Sequence, residues 1–247
     1  MKLKTLAILV AVIALQSFST QAQPRGGGGP TAPNLSGSTA KLFGNNTSFS
    51  ADLEMQAKEK GGGTITMPGS IAFSEGKSRF DMDLSLMKGG TMSPQMATQM
   101  KAMGMDKMVT ISIPDKKVSL LVYPGLQAYV QQPIPDAAAT SDQDFKIEVK
   151  ELGKETLDGH ACVKNQTTVT EKDGTKHDAT VWNATDLKDF PIKIVQAEKG
   201  SEMIMLFKNV KLSKPDAKLF EAPAGFTSYP NMQVMMQEVM TKKFGGK

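Results

Sequence analysis

Residues 48–58 read Ser-Phe-Ser-Ala-Asp-Leu-Glu-Met-Gln-Ala-Lys and alternate between apolar and polar side chains over their whole length. Successive side chains of a β-strand point to opposite faces of a sheet, so a period of two predicts a strand with one apolar and one polar face. The stretch therefore indicates a β protein whose core lies against one side of this strand.

The same pattern recurs along the chain after turn residues. The strands expected from it cover residues 79–86, 109–113, 118–122, 145–149, 160–171, 176–184, 191–197 and 202–212. Asp173-Gly174 is a typical hairpin turn between two of these strands. About ten strands at short spacing predict one mainly β domain built on an antiparallel sheet.

Two segments have the period of a helix, and both carry a stripe of methionines. The first covers about residues 94–107, and the second covers about residues 231–243. Methionine is flexible and polarisable, which suits surfaces that accept apolar partners of varied shape. We therefore expect both helices to cover the apolar face of the sheet. The stripes consist of Met92, Met96, Met100 and Met103 in the first segment, and of Met232, Met235, Met236, Val239 and Met240 in the second.

The amino-terminal residues 1–22 have the layout of a cleavable secretory signal peptide. Lys2 and Lys4 precede an apolar run from Leu6 to Leu15, and a polar stretch ends at Ala22. The apolar run is about half of the roughly 20 residues that a membrane-spanning helix needs. Residues 23–45 are rich in glycine, proline and serine and predict a flexible leader. We expect residues 46–247 to form a single domain that includes the carboxy-terminal helix.

The charge and the cysteine content limit the classes of partner. The chain has 29 basic and 25 acidic residues without a long run of either sign, which gives no reason to expect nucleic acid. Cys162 is the single cysteine, so no internal disulfide can form. We expect Cys162 and Trp182 to belong to the core.

The chain carries few residues suited to catalysis. His160 and His177 are the only histidines, and no serine nucleophile elbow, zinc-protease helix or phosphate-binding glycine loop is present. We therefore expect a non-catalytic protein without a cofactor. A soft-metal site remains an alternative, because residues 92–108 contain six methionines, whose thioethers can bind Cu(I).

Three stretches resemble a known family. They are Ile-Pro-Asp-Lys-Lys-Val-Ser-Leu-Leu-Val-Tyr-Pro at 113–124, Leu-Gly-Lys-Glu-Thr-Leu-Asp-Gly-His-Ala-Cys at 152–162, and Pro-Asp-Ala-Lys-Leu-Phe-Glu-Ala-Pro-Ala-Gly-Phe at 215–226. The sequence resembles the LolA-like periplasmic lipoprotein-carrier superfamily, and within it a group of exported bacterial proteins.

This resemblance implies a half-open, strongly curved antiparallel β-barrel with a helical lid over a hydrophobic cavity. It further implies a periplasmic binder or carrier of an acyl chain, a lipid or a lipoprotein. We expect the protein to be a monomer. A protein-binding or sensor module on the same fold remains a second reading. The lid would be the helix with Met92, Met96, Met100 and Met103. The inward positions would be Phe49, Leu53, Met55, Phe80, Met82, Leu84, Ile111, Leu120 and Val122.

Overall fold

The chain forms one long sheet and a small number of helices. A computed structural model describes residues 37–58, 63–90, 93–134, 145–198 and 201–244. The strands in these ranges are β1 (Ser48–Lys58), β2 (Thr64–Ser74), β3 (Lys77–Asp83), β4 (Lys107–Ile113), β5 (Val118–Tyr123), β6 (Ala128–Pro133), β7 (Phe145–Leu157), β8 (His160–Glu171), β9 (Lys176–Ala184), β10 (Phe190–Glu198), β11 (Ser201–Lys211) and β12 (Thr227–Tyr229). The α-helices are α1 (Ser38–Lys41), α2 (Pro94–Met103) and α3 (Met232–Phe244).

The twelve strands form a single open sheet in the order β12-β6-β5-β4-β3-β2-β1-β11-β10-β9-β8-β7. The short strand β12 runs parallel to β6, and the neighbours along the rest of the sheet are antiparallel. The pair β1 and β11 joins the strands from the first half of the chain to those from the second half. The predicted mainly β fold with a half-open antiparallel sheet is confirmed.

Local hydrogen bonds explain where two predicted elements end early. The strand expected to reach residue 86 stops at Asp83, because the Asp83 carboxylate accepts a hydrogen bond from the Ser85 amide at 3.0 Å and begins a 3-10 turn. Helix α2 stops at Met103 because Gly104 adopts a left-handed conformation, with φ of 76°. Strands β2, β6 and β12 were not expected from the sequence.

The register of the strand pairs determines which side chains share a face of the sheet. Across β3 and β4, Phe80 lies opposite Thr110, whereas Arg79 lies opposite Ile111. Side chains of directly paired residues point to the same side. Phe80 and Ile111 therefore point to different faces. We call the face with Phe49 and Phe80 the helix-bearing face, and the face with Ile111 the opposite face.

An aromatic cluster fills the centre of the helix-bearing face. The ring of Phe43, which follows α1, lies 4.9 Å from Phe49, 5.6 Å from Phe190 and 5.5 Å from Phe207 between centroids. Further along the same face, the fully buried Met235 anchors α3 in a cluster with Val130 and other side chains. The amino-terminal and carboxy-terminal helices therefore cover the same side of the sheet.

The opposite face is covered over β4 and β5 by a carboxy-terminal 3-10 turn at Ala217–Phe220. Phe220 is buried there in a cluster with Ile111, Leu120 and Val122. Arg79 holds this turn, since its guanidinium donates to both carboxylate oxygens of Asp81 at 2.7 and 2.6 Å and to the Leu219 carbonyl at 3.2 Å. The bidentate pair fixes the plane of the arginine and hence the direction of its third bond.

Part of the leader predicted at residues 23–45 belongs to the folded domain. Residues 38–41 form α1, and Leu42 and Phe43 are buried in the core. Residues 37–45 thus belong to the domain, because Phe43 supplies the central ring of the aromatic cluster. The predicted signal peptide and Met92 lie outside the described residues. Among the residues that are described, no helix is both long enough and apolar enough to cross a membrane.

Candidate functional site

A cavity of about 280 Å³ lies on the helix-bearing face between the amino-terminal segment 41–46 and strands β7, β8 and β9. One wall is the amino-terminal segment, the floor is made by the three strands, and the rim includes the turn before β10. The lining residues are Lys41, Leu42, Phe43, Gly44, Asn45, Asn46, Ile147, Val149, Thr167, Val181, Asn183, Lys188 and Asp189.

The wall is held in place by the packing of Phe43. Helix α1 ends at Lys41, and the amides of Leu42 and Phe43 donate to the carbonyls of Thr39 and Ala40 at 3.2 Å. These turns direct the Phe43 ring into the aromatic cluster, where it is 2 % exposed. The rest of the segment then crosses the sheet next to the cavity.

The floor combines buried side chains with exposed apolar ones. Val181 and Thr167 are buried, whereas Ile147 is 45 % exposed and Val149 is 62 % exposed. Val149 lies opposite Thr167 in the pair of β7 and β8, so both side chains point into the cavity side of the sheet. Among the described residues, the cavity is therefore continuous with an exposed apolar strip on β7, the edge strand of the sheet.

The amide side chains at the rim are already engaged by the protein. Asn46 Nδ2 donates to the carbonyls of Phe43 at 3.1 Å and Lys188 at 3.3 Å. Asn183 Nδ2 donates to the Asp189 carbonyl at 2.8 Å, and Asn183 Oδ1 accepts a bond from Asn165 at 3.0 Å. These bonds fix the rim and leave mainly apolar surface for a ligand.

Of the residues predicted to line a cavity, those that the structure describes do not line this one. Six are buried in the main core of the helix-bearing face, namely Phe49, Leu53, Met55, Phe80, Met82 and Leu84. Three are buried under Phe220 on the opposite face, namely Ile111, Leu120 and Val122. The expectation that all nine point inward together is therefore corrected by the register between β3 and β4.

The predicted methionine lid covers the sheet only loosely. Met96 is 51 % exposed, Met100 is half-buried against the main core, and Met103 is half-buried. Helix α2 is capped at its amino-terminal end by its own Ser93 and approaches another element at its carboxy-terminal end. Ser93 Oγ accepts a bond from the Met96 amide at 3.2 Å, and the backbone of Gly104 touches the backbone of Gly125. Whether α2 acts as a lid stays a prediction.

The histidines and the cysteine are engaged in structural contacts. His160 Nδ1 lies 2.7 Å from Asp186 Oδ2, and this hydrogen bond lowers the pKa of Asp186. His177 Nε2 lies 3.0 Å from Glu171 Oε1. Burial raises the pKa of Cys162, whose thiol donates to the His160 carbonyl. In the described ranges, histidine, cysteine and carboxylate side chains form no group of three that could hold a metal.

Trp182 is buried as expected and belongs to the main core cluster. The ammonium groups of Lys164 and Lys193 lie 4.8 and 4.4 Å from its ring centroid, and its indole N–H donates to Glu155. Lysine stems thus shield this large ring from water.

The sequence reading missed the residues that form the cavity. Phe145, Ile147 and Val149 were identified as a strand by their alternation, but alternation does not show that β7 lies at the edge of the sheet. Leu42 and Phe43 are two adjacent apolar residues after a glycine-rich and serine-rich stretch, and they give no periodic signal.

Comparison with solved structures shows distant similarity. A LolA superfamily protein from Nitrosomonas europaea is 11 % identical, with 73 % of this chain and 93 % of that chain covered and a TM-score of 0.37. Lipoprotein LppX from Mycobacterium tuberculosis is 9 % identical, with 69 % and 92 % covered and a TM-score of 0.40. LprF from Mycobacterium bovis is 11 % identical, with 71 % and 92 % covered and a TM-score of 0.38. The predicted LolA-like resemblance is confirmed at the level of the fold. At these identities and TM-scores, the similarity leads to no conclusion about function.

Sequence comparison identifies a family. A search of curated proteins found no match. The model of a domain of unknown function, DUF4412, matches residues 49–190 and 179–226, which include β1 to β11 and the 3-10 turn that covers the opposite face. The chain therefore belongs to the DUF4412 family.

Proposed function

We propose that this protein binds an acyl chain, from a lipid or a lipidated protein, in the cavity between Phe43 and strand β7. The observation that carries the proposal is the apolar strip formed by Ile147 and Val149 at the mouth of the cavity, which is exposed in the part of the chain that the structure describes. Ile147 and Val149 are among the most exposed large apolar side chains of the described strands, and neighbouring exposed apolar side chains are typical of a binding surface.

The size of the cavity indicates how a ligand would bind. A volume of about 280 Å³ is close to the lower end of the range for small-molecule sites, roughly 300 to 1,000 Å³. Burial of about eight methylenes contributes roughly 6 kcal/mol, while association costs about 4 kcal/mol or more. Useful affinity therefore requires that a ligand extend beyond the cavity onto the exposed strip of β7.

The proposed role is non-catalytic and lies outside the cytoplasm. The signal-peptide pattern of residues 1–22 supports export to the bacterial periplasm. Both histidines pair with carboxylates. Binding by apolar contact alone needs neither a metal nor a cofactor.

A binding measurement with one matched control tests the proposal. The probe is a dansyl-labelled undecanoic acid, and binding is followed by its fluorescence. Val149→Glu places a carboxylate at the mouth of the cavity, where burying it under an acyl chain costs enough to weaken binding about tenfold or more. Lys150→Gln changes the net charge by the same amount on the other side of β7, and we expect it to leave the affinity unchanged.

Equal affinity of Val149→Glu and the unmodified protein would contradict this assignment of the site. Native mass spectrometry of the protein purified without detergent adds a second readout. Co-purified lipid that is lost in Val149→Glu and kept in Lys150→Gln would identify the natural class of ligand.

A further inference from the structure

Strand β7 is the long open edge of the sheet. It has 13 residues and pairs with β8 alone, whereas the other edge is the three-residue strand β12. Nearly every side chain of β7 is exposed. Within the described part of the chain, no strand pairs with the outer side of β7. Its outward backbone N–H and C=O groups can therefore accept another strand.

The side chains of β7 form two different rows. Phe145, Ile147 and Val149 point to the helix-bearing face, since they lie opposite Glu171, Val169 and Thr167. Lys146 and Glu148 point to the opposite face, where their side chains are 74 % and 57 % exposed and form an ion pair of 2.7 Å. One row is thus apolar and the other carries both charges.

We propose that two copies of this protein associate through antiparallel pairing of their β7 strands about a two-fold axis at Ile147. In this register Ile147 faces Ile147 of the second copy, and Phe145 faces Val149 of the second copy. Lys146 faces Glu148 of the second copy, so the two existing ion pairs join into a network of four alternating charges. Aromatic, β-branched and opposite-charge pairs are the cross-strand contacts that stabilise sheets.

The neighbouring registers are less favourable. Rotation about Glu148 would bring the two Glu148 carboxylates together and place Lys146 opposite Lys150. Rotation about Val149 would place Ile147 opposite Glu151. A shift of the strand register keeps the apolar rows of both copies on one face only if it covers an even number of residues, because side chains alternate with a period of two. Rotation about Val149 pairs Glu148 with Lys150, so the apolar and charged rows together, and not charge alone, favour the register at Ile147.

The same pattern explains why the partner is a second copy. Exposed edges are commonly protected by unmatched charges, especially lysine. Here each lysine of the pairing segment is matched by a glutamate two residues away, so the segment is complementary to itself in antiparallel orientation. If the proposed function holds, the two cavities lie on the same face of a continuous sheet, and the apolar strips between them become adjacent.

Charge exchange tests the register. Lys146→Glu places glutamate opposite Glu148 of the second copy, and Glu148→Lys places lysine opposite Lys146. We expect each variant to weaken the dimer about tenfold or more in sedimentation equilibrium. The double variant Lys146→Glu/Glu148→Lys restores opposite charges and should dimerise like the unmodified protein. An equimolar mixture of the two single variants should form heterodimers.

These variants separate the dimer from ligand binding, because both side chains lie on the face away from the cavity. The single variants should bind the dansyl-labelled acid as well as the unmodified protein does under conditions where all are monomeric. Unmodified protein that stays monomeric up to high micromolar concentration, or single variants that dimerise normally, would overturn the proposal. Failure of the acid to bind any variant would instead refute the proposed function.

Oxidative cross-linking traps the associated copies and gives a readout of the register that does not rest on charge exchange. Ile147→Cys brings two cysteines together across the axis, at a separation that allows a disulfide. Val149→Cys faces Phe145 of the second copy and should cross-link much more slowly. Cys162 is buried and does not compete. Equal cross-linking of both variants, or none with Ile147→Cys, would exclude the register.

Discussion

Replacement of Phe43 by alanine is expected to weaken the fold and to enlarge the cavity in one step. The ring is 2 % exposed and is the hub of an aromatic cluster in which Phe49, Phe73, Phe190 and Phe207 lie within 6.4 Å of it between centroids. The same side chain forms part of the cavity wall. Its removal leaves a void that opens towards the existing cavity.

The expected loss of stability follows from the burial of the ring. Truncation of a buried phenylalanine to alanine costs about 3 to 5 kcal/mol. For a domain of this size each kcal/mol corresponds to roughly 2 to 4 °C, so the melting temperature should fall by about 10 °C. A ligand that fills the void opposes this loss, since saturation at about 100 times Kd stabilises a protein by about 2.7 kcal/mol.

Thermal unfolding and urea unfolding measure the effect, with and without the dansyl-labelled acid. Phe145→Ala is the matched control, because Phe145 is half-buried and makes one cation–π contact, with Lys41 at 5.6 Å. We expect this control to lose about 1 kcal/mol. If Phe43→Ala costs no more than the control, segment 37–46 is not part of the core, and the wall of the cavity is wrongly assigned.

Two further expectations concern α2 and the cysteine. Gly104→Ala should destabilise the protein by about 3 kcal/mol, because Gly104 has φ of 76° and a Cβ would lie 2.6 Å from the Gly125 carbonyl oxygen. Gly76→Ala is the control, because φ is 83° there and no atom lies within 4 Å of the added carbon. It should lower the free energy of unfolding in urea by only about 1 kcal/mol. Equal losses of stability in the two variants would argue against the close approach of Gly104 and Gly125. Cys162 should react with iodoacetamide far more slowly in the folded protein than in urea at pH 8, because burial raises its pKa and the thiolate is the reactive form. Mass spectrometry after labelling checks this, and equal rates would contradict the burial of Cys162.

The strands were largely predictable from the sequence because their signal is local. Alternation predicted β1 with its observed ends, and the Asp173-Gly174 turn separated β8 from β9 at the observed bounds. Helix α3 was expected at about residues 231–243 and spans Met232–Phe244. Each of these elements is specified by side-chain period and turn residues within a short window.

The composition of the site was not predictable in the same way, because it depends on pairing between strands. Val109, Ile111 and Ile113 alternate as regularly as Phe80 and Met82, and only the register across the α2 insertion shows that the two sets face apart. Likewise, Ile147 and Val149 have the pattern of a covered strand. Their exposure follows from the position of β7 at the end of the strand order, which no local pattern encodes.

The pairing of β1 with β11 has a consequence for the order of folding. The ladders β1 to β6 and β7 to β11 connect strands that follow one another in the chain, whereas Leu53 pairs with Phe207. Contacts between residues far apart in sequence require closure of a long loop and form slowly. During synthesis, β1 can pair with β2 but lacks its other neighbour until β11 has emerged. The Phe43 ring likewise lacks its contact with Phe207 until then. We expect two meanders to form early, and their joining along β1 and β11 to limit the rate at which the native sheet appears.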